Sequence, residues 1–125
     1  MDKKVKVLLL DDEPIVIERV KSSLELSGYF VDSFVSSEDA IAKLKEVKYD
    51  ILITDIKMSS PDGMEVLKTA KQIQPDIKPV IITGFATNQT AEFAKKLGAI
   101  EFIPKPFKMS QLKNILNLIS GADDK

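Results

Sequence analysis

Asp55 follows a short apolar run, Ile51–Thr54, and the groups that could work with it are scattered along the chain. Asp11-Asp12-Glu13 closes a second apolar run, Thr83 closes a third, and Lys105-Pro106 follows a fourth. Carboxylates, a hydroxyl and an ammonium suit phosphoryl transfer, which needs a nucleophile, charge neutralisation and contacts for the phosphoryl oxygens. An aspartate is already ionised at neutral pH, so no general base is required. Carboxylates at Asp11, Asp12 and Asp55 would repel one another if brought together, and a hard divalent cation would relieve this. An oxygen-only donor set suits Mg²⁺. Lys105 would give a point charge for a phosphoryl oxygen, and the Thr83 hydroxyl a donor.

Composition narrows the alternatives. There is no His and no Cys, which removes imidazole bases, Ser-His-Asp triads, thiolate zinc sites and disulfides. With 125 residues there is room for one core, and 44% hydrophobic with 30% charged residues is ordinary for a globular domain. A net charge of −1 argues against direct nucleic-acid binding, which calls for a basic stripe. No apolar run approaches the roughly 20 residues of a membrane span, and Met1-Asp2-Lys3-Lys4 does not open a secretory signal. A cytoplasmic location is expected. Taken singly, each residue also has an ordinary reading. Asp11-Asp12 before Pro14 caps a helix, Asp55 makes a turn, Thr83 is structural, and Lys105 is a solvated surface lysine.

The elements that must position these residues are legible as alternating runs. Val5–Leu10, Phe30–Val35, Ile51–Thr54, Val80–Thr83 and Ile100–Ile103 are β-branched-rich and mostly continuous, as buried parallel strands are. Between them, helices are expected from Pro14 to a stop at Gly28, and from Ser36 or Ser37 through Val47. Others run from Asp62-Gly63 through Ile73, from a Thr87 or Thr90 cap to Gly98, and from Met109 to Gly121. This predicts an α/β fold: a doubly wound, five-stranded parallel sheet with five helices, strand order 2-1-3-4-5. In that order the carboxyl ends of strands 1 and 3 adjoin at the switch point where ligands bind. Asp11, Asp12, Asp55, Thr83 and Lys105 all fall at strand ends facing that crevice. The domain is expected over residues 1–121, with a frayed tail at 122–125.

With these residues in view, the chain resembles the receiver domains of two-component response regulators, the CheY-like variant of the flavodoxin-like fold. The resemblance is carried by VLLLDDEP (Val7–Pro14), ILITDIKMSSPDG (Ile51–Gly63), PVIITGFAT (Pro79–Thr87) and KLGAIEFIPKPF (Lys96–Phe107), and covers essentially the whole chain. It implies that Asp55 accepts a phosphoryl group from the phosphohistidine of a sensor histidine kinase or phosphotransfer protein. Asp12, Asp55 and the Lys57 carbonyl would be Mg²⁺ ligands, with Asp11 holding a metal-bound water. Thr83 and Lys105 would contact the phosphoryl group, and Phe102 would be the aromatic switch that changes the surface of helix 4, strand 5 and helix 5. Lys57 and Phe85 would tune phosphoryl lifetime, and the Lys105-Pro106 bond would be cis. The resemblance makes the chain a switch that assists its own phosphorylation and dephosphorylation rather than an enzyme. It further implies a downstream effector domain or protein, and allows a homodimer through the helix 4–strand 5–helix 5 face.

One position departs from the family pattern: Ser59 stands where Pro is usual, with Pro61 two residues on. An altered loop is expected there, with Asp62-Gly63 still in register. Three other chemistries share parts of this residue set. A haloacid-dehalogenase-type aspartyl-phosphate hydrolase wants a second Asp two residues beyond its nucleophile, and Lys57 stands there instead. A flavodoxin-like cofactor binder would need a phosphate loop where Asp11-Asp12-Glu13 stands. A pseudo-receiver acting only as a binding module would not need the acidic set and Lys105.

Overall fold

The computed structural model describes residues 4–56 and 62–120. Along them run β1 (Lys6–Leu10), α1 (Pro14–Leu26), β2 (Phe30–Phe34), α2 (Ser37–Leu44) and β3 (Ile51–Thr54). They are followed by α3 (Gly63–Ile73), β4 (Lys78–Thr83), α4 (Asn88–Lys96), β5 (Glu101–Pro104) and α5 (Met109–Ser120). The strands form one sheet in the order β2-β1-β3-β4-β5, each adjacent pair parallel. This is the doubly wound order expected from the alternation.

Continuous apolar strands are needed because helices cover both faces of the sheet. Val7, Leu9, Ile53, Val80 and Ile82 pack against Val20 and Leu24 of α1 and Leu112 and Leu116 of α5. On the other face Leu8, Leu10 and Leu52 meet Ala40 and Leu44 of α2 and Val66 and Ala70 of α3. Ile81 joins Leu67 and Ala94 in a third cluster, and Phe102 packs on it half-buried. Each fully buried Leu or Ile contributes about 2 kcal/mol by leaving water, so the centre of the sheet is the rigid platform.

Helix ends follow local chemistry. The side chains of Ser36, Asp62 and Thr87 cap α2, α3 and α4 by accepting an N–H from Asp39, Glu65 and Thr90. Gly28 and Gly98 take left-handed φ values of 97° and 114° just beyond α1 and α4, where a side chain would be strained. Several boundaries differ from the sequence reading: β1 starts at Lys6 rather than Val5, and β2 ends at Phe34 rather than Val35. α2 ends at Leu44 rather than running through Val47, because Gln74 Nε2 donates to the Leu44 and Val47 carbonyls at 2.8 and 2.6 Å. β4 begins at Lys78, and its second residue, Pro79, hid that start; β5 is shifted one residue on, to Glu101–Pro104. The Lys57 carbonyl, the Ser59–Pro61 loop, and the helix stop and tail at 121–125 lie outside the described residues.

The register brings the strand ends together. Leu10 pairs with Phe34 on one side and Thr54 on the other. The Asp11 N–H then reaches the Phe34 carbonyl at 3.2 Å, and the Asp55 N–H the Leu10 carbonyl at 3.3 Å. Thr83 pairs with Pro104, and the Lys105 N–H donates to the Thr83 carbonyl at 2.8 Å.

Candidate functional site

Beyond these strand ends lies a crevice of about 500 Å³ lined by Asp12, Glu13, Asp55, Thr83, Gly84, Phe85 and Lys105. Asp11 lies beneath it, 2% exposed. Its Oδ1 accepts the Glu13 N–H at 2.9 Å and its Oδ2 meets Lys105 Nζ at 3.0 Å. Burial raises the Asp11 pKa, and neither the Glu13 N–H nor Lys105 fully offsets it. Repulsion from Asp55, which the sequence made the main concern for this cluster, is the smallest contribution at Asp11.

Lys105 Nζ also reaches Asp55 Oδ2 at 2.9 Å and Glu13 Oε1 at 2.7 Å. Burial alone would lower its pKa, but bonds to Glu13, Asp55 and Asp11 outweigh this and hold the ammonium above the usual lysine range. The Lys105-Pro106 peptide is cis, as expected. Asp55 is buried and its backbone is fixed from two sides. Thr54 Oγ1 donates to the Asp55 carbonyl at 2.9 Å, and Gly63, the first residue of α3, packs on the same peptide.

Oxygen atoms of Asp11, Asp12 and Asp55 all lie within 4.8 Å of one another, Asp12 being exposed and the others buried. A compact set of three carboxylates with no nitrogen or sulfur donor fits a hard cation such as Mg²⁺. Thr83 is fully buried, and its Oγ1 accepts the Phe85 N–H at 3.0 Å. Phe85 stands at the rim, 54% exposed. Phe102 is not at the crevice. It shares the Ile81 face of the sheet, since Ile81 and Phe102 are register partners, and lines a second cavity of about 310 Å³ between α4 and β5.

Fold and strand-end chemistry together define a CheY-like α/β domain with an acidic crevice at its switch point. Residues 7–117 match the model of the response regulator receiver domain. The chain is 31% identical over 116 residues to the chemotaxis protein CheY of Thermotoga maritima, covering 92% of this chain and 97% of that one. It is 32% identical over 113 residues to the transcriptional regulatory protein ZraR of Salmonella typhimurium, covering 90% of this chain but 26% of that protein. The chain thus spans about a quarter of the length of the first such regulators. A receiver domain protein of Methanospirillum hungatei superposes with a TM-score of 0.89 at 25% identity, covering 98% of both chains. The chain belongs to the receiver domains of two-component response regulators.

Asp11, Asp12, Asp55, Thr83, Lys105 and Phe85 are therefore gathered at one crevice, and Phe102 lies apart on the α4 side. Three neighbours of the site had no assigned role in the sequence. Glu13 was visible as the third acid of its run, and its reach to Lys105 follows only from the fold. Thr54 was simply the end of a strand. Gly63 stands in the sequence as a helix opener, with nothing to signal its contact with the Asp55 backbone.

Proposed function

We propose that this receiver is a Mg²⁺-dependent phosphoacceptor switch in which Asp55 takes a phosphoryl group from the phosphohistidine of a sensor kinase or phosphotransfer protein. The observation that carries this is the Lys105 ammonium at 2.9 Å from Asp55 Oδ2, with Asp11 and Asp12 alongside. Asp11, Asp12 and Asp55 would hold the cation, which neutralises charge on the transferring group. An Asp55 oxygen attacks phosphorus, the phosphorus–nitrogen bond of the donor breaks, and an acyl phosphate remains. Lys105 exchanges one carboxylate partner for a phosphoryl oxygen, which it can do because it already bridges three acids. Thr83 releases the Phe85 N–H and donates its hydroxyl to the phosphoryl group.

Thr83 and Phe102 stand on one face of the sheet, since Ile81 and Thr83 are two residues apart on β4 and Ile81 pairs with Phe102. Withdrawal of Thr83 toward the crevice frees space on that face, and Phe102 turns into it. The surface of α4, β5 and α5 then changes, and an effector domain or separate protein reads it as a population shift. Phe85 at the rim shields the acyl phosphate from water. The chain's location in the cytoplasm and its use of the α4–β5–α5 face for dimerisation belong to the same proposal.

The test is incubation with acetyl phosphate and Mg²⁺ followed by intact mass measurement. One phosphoryl adduct is expected, lost in Asp55→Asn and suppressed by chelator. No adduct in the wild-type protein, or one that survives Asp55→Asn, would sink the reading.

A further inference from the structure

The hydrogen bonds that lead away from Thr83 end on a residue with no assigned role. The Phe85 peptide is held at both ends: its N–H by Thr83 Oγ1 at 3.0 Å, and its carbonyl by Thr90 Oγ1 at 2.9 Å. A threonine hydroxyl has one proton to give and two lone pairs. At Thr90 one lone pair is matched by the Thr87 N–H at 2.9 Å, and the Thr87 hydroxyl lies at 3.1 Å, where either oxygen can be the donor. The single Thr90 proton has the Phe85 carbonyl as its nearest acceptor at 2.9 Å, ahead of the Thr87 carbonyl at 3.0 Å and the Thr87 hydroxyl at 3.1 Å. Thr87 Oγ1 meanwhile accepts the Thr90 N–H at 3.0 Å, completing a reciprocal cap on α4. One side chain thus closes the first turn of α4 and ties it to the peptide that occupies the Thr83 hydroxyl.

We propose that Thr90 is a positioning residue for the switch: its hydroxyl holds the Phe85 peptide where it engages Thr83, and so sets how readily Thr83 turns to the acceptor. This rests on the reading of Asp55 as phosphoacceptor and adds a component to it. A cap needs only the Thr87–Thr90 reciprocal pair. The bond from Thr90 to Phe85 lies outside that pair and points at the site. When Thr83 rotates toward a phosphoryl group, its bond from the Phe85 N–H is given up, and Thr90 governs whether the loop follows. The start of α4 thereby senses the crevice directly, in addition to any movement of Phe102.

Thr90→Val keeps the branched shape and removes the hydroxyl; Thr90→Ser keeps the hydroxyl. Amide and methyl NMR spectra of the protein without phosphodonor are compared with those after acetyl phosphate and Mg²⁺, alongside adduct formation by mass. In Thr90→Val the Thr83 and Phe85 signals are expected to move, without donor, toward their phosphorylated wild-type positions. Adduct formation should quicken about fivefold, the size expected for one neutral hydrogen bond. Thr90→Ser should behave as wild type. Unchanged Thr83 and Phe85 signals in Thr90→Val with normal adduct formation would overturn the role of Thr90 and leave the acceptor reading standing. So would equal effects of Val and Ser, or an unfolded Thr90→Val with Thr90→Ser altered at Phe85. Absence of any adduct in the wild type overturns the acceptor reading itself, and this proposal with it.

Discussion

Asp11 is buried where it meets the Lys105 ammonium. Its proton is bound more tightly in the folded chain than in the unfolded one, because desolvation outweighs its two favourable contacts. A raised folded-state pKa means that the contribution of Asp11 to stability falls as pH rises from the ordinary value of 3.8. Asp11→Asn removes the charge and leaves Lys105 with Glu13 and Asp55. In chelator-containing buffer that variant is expected to be more stable than wild type at pH 7, by about 0.5–2 kcal/mol, as when a strained functional site is relieved. The gap should close as pH falls through the carboxylate range. Urea unfolding at pH 7 and pH 3 checks this, and a less stable variant at pH 7 would mean the ion pair outweighs burial. Phe85 gives a second residue-scale expectation. Phe85→Ala opens the crevice rim, so its acyl phosphate should decay severalfold faster in a chase with chelator. A longer lifetime in the variant would count against shielding.

At the scale of elements, the site depends on how closely α3 seats on β3. A Cβ built on Gly63 would lie 1.8 Å from the Asp55 carbonyl oxygen and 2.4 Å from the Ile56 Cα, both backbone atoms that cannot swing aside. The Gly63 N–H also donates to the Ile56 carbonyl at 3.0 Å. Gly63→Ala must push α3 away from the end of β3, so a loss of about 3 kcal/mol or more is expected, with adduct formation at Asp55 impaired alongside. Denaturant midpoints and acetyl-phosphate labelling measure the two, and a variant as stable as wild type would contradict the contact. The same element shows what could be foreseen. Asp62 as a cap, the apolar face of α3 and the strand order follow from residue type and period, which are local properties of the sequence. The Gly63 contact, the Glu13–Lys105 pair and the Gln74 bonds that end α2 depend on residues 7 to 92 positions apart. No local pattern specifies them. Asp55, Asp11, Asp12, Thr83 and Lys105 were legible because a parallel sheet sends every strand's carboxyl end to one edge, so sequence position alone gathered them.

Across the whole molecule, Tyr49, just before β3, ties β2 to the ends of α2 and α3. Its hydroxyl donates to Asp32 Oδ2 of β2, its N–H donates to Gln74 Oε1 at 2.9 Å, and Gln74 in turn holds the end of α2. Tyr49 is 1% exposed. Burial, and then the bond to Asp32, push its pKa well above the ordinary 10.0. The folded protein therefore keeps this proton after the unfolded chain has released it, and stability must fall as pH rises above about 10. Each such group steepens the fall by up to about 1.4 kcal/mol per pH unit. Lys105, also raised, adds its own share only above the ordinary lysine value of 10.5. Tyr49→Phe cannot lose a proton, so its stability should begin lower near pH 8, for want of the Asp32 bond, and decline less steeply between pH 10 and 11. Urea unfolding across that range separates the two. Parallel curves for wild type and Tyr49→Phe would show that the alkaline sensitivity of the fold arises elsewhere.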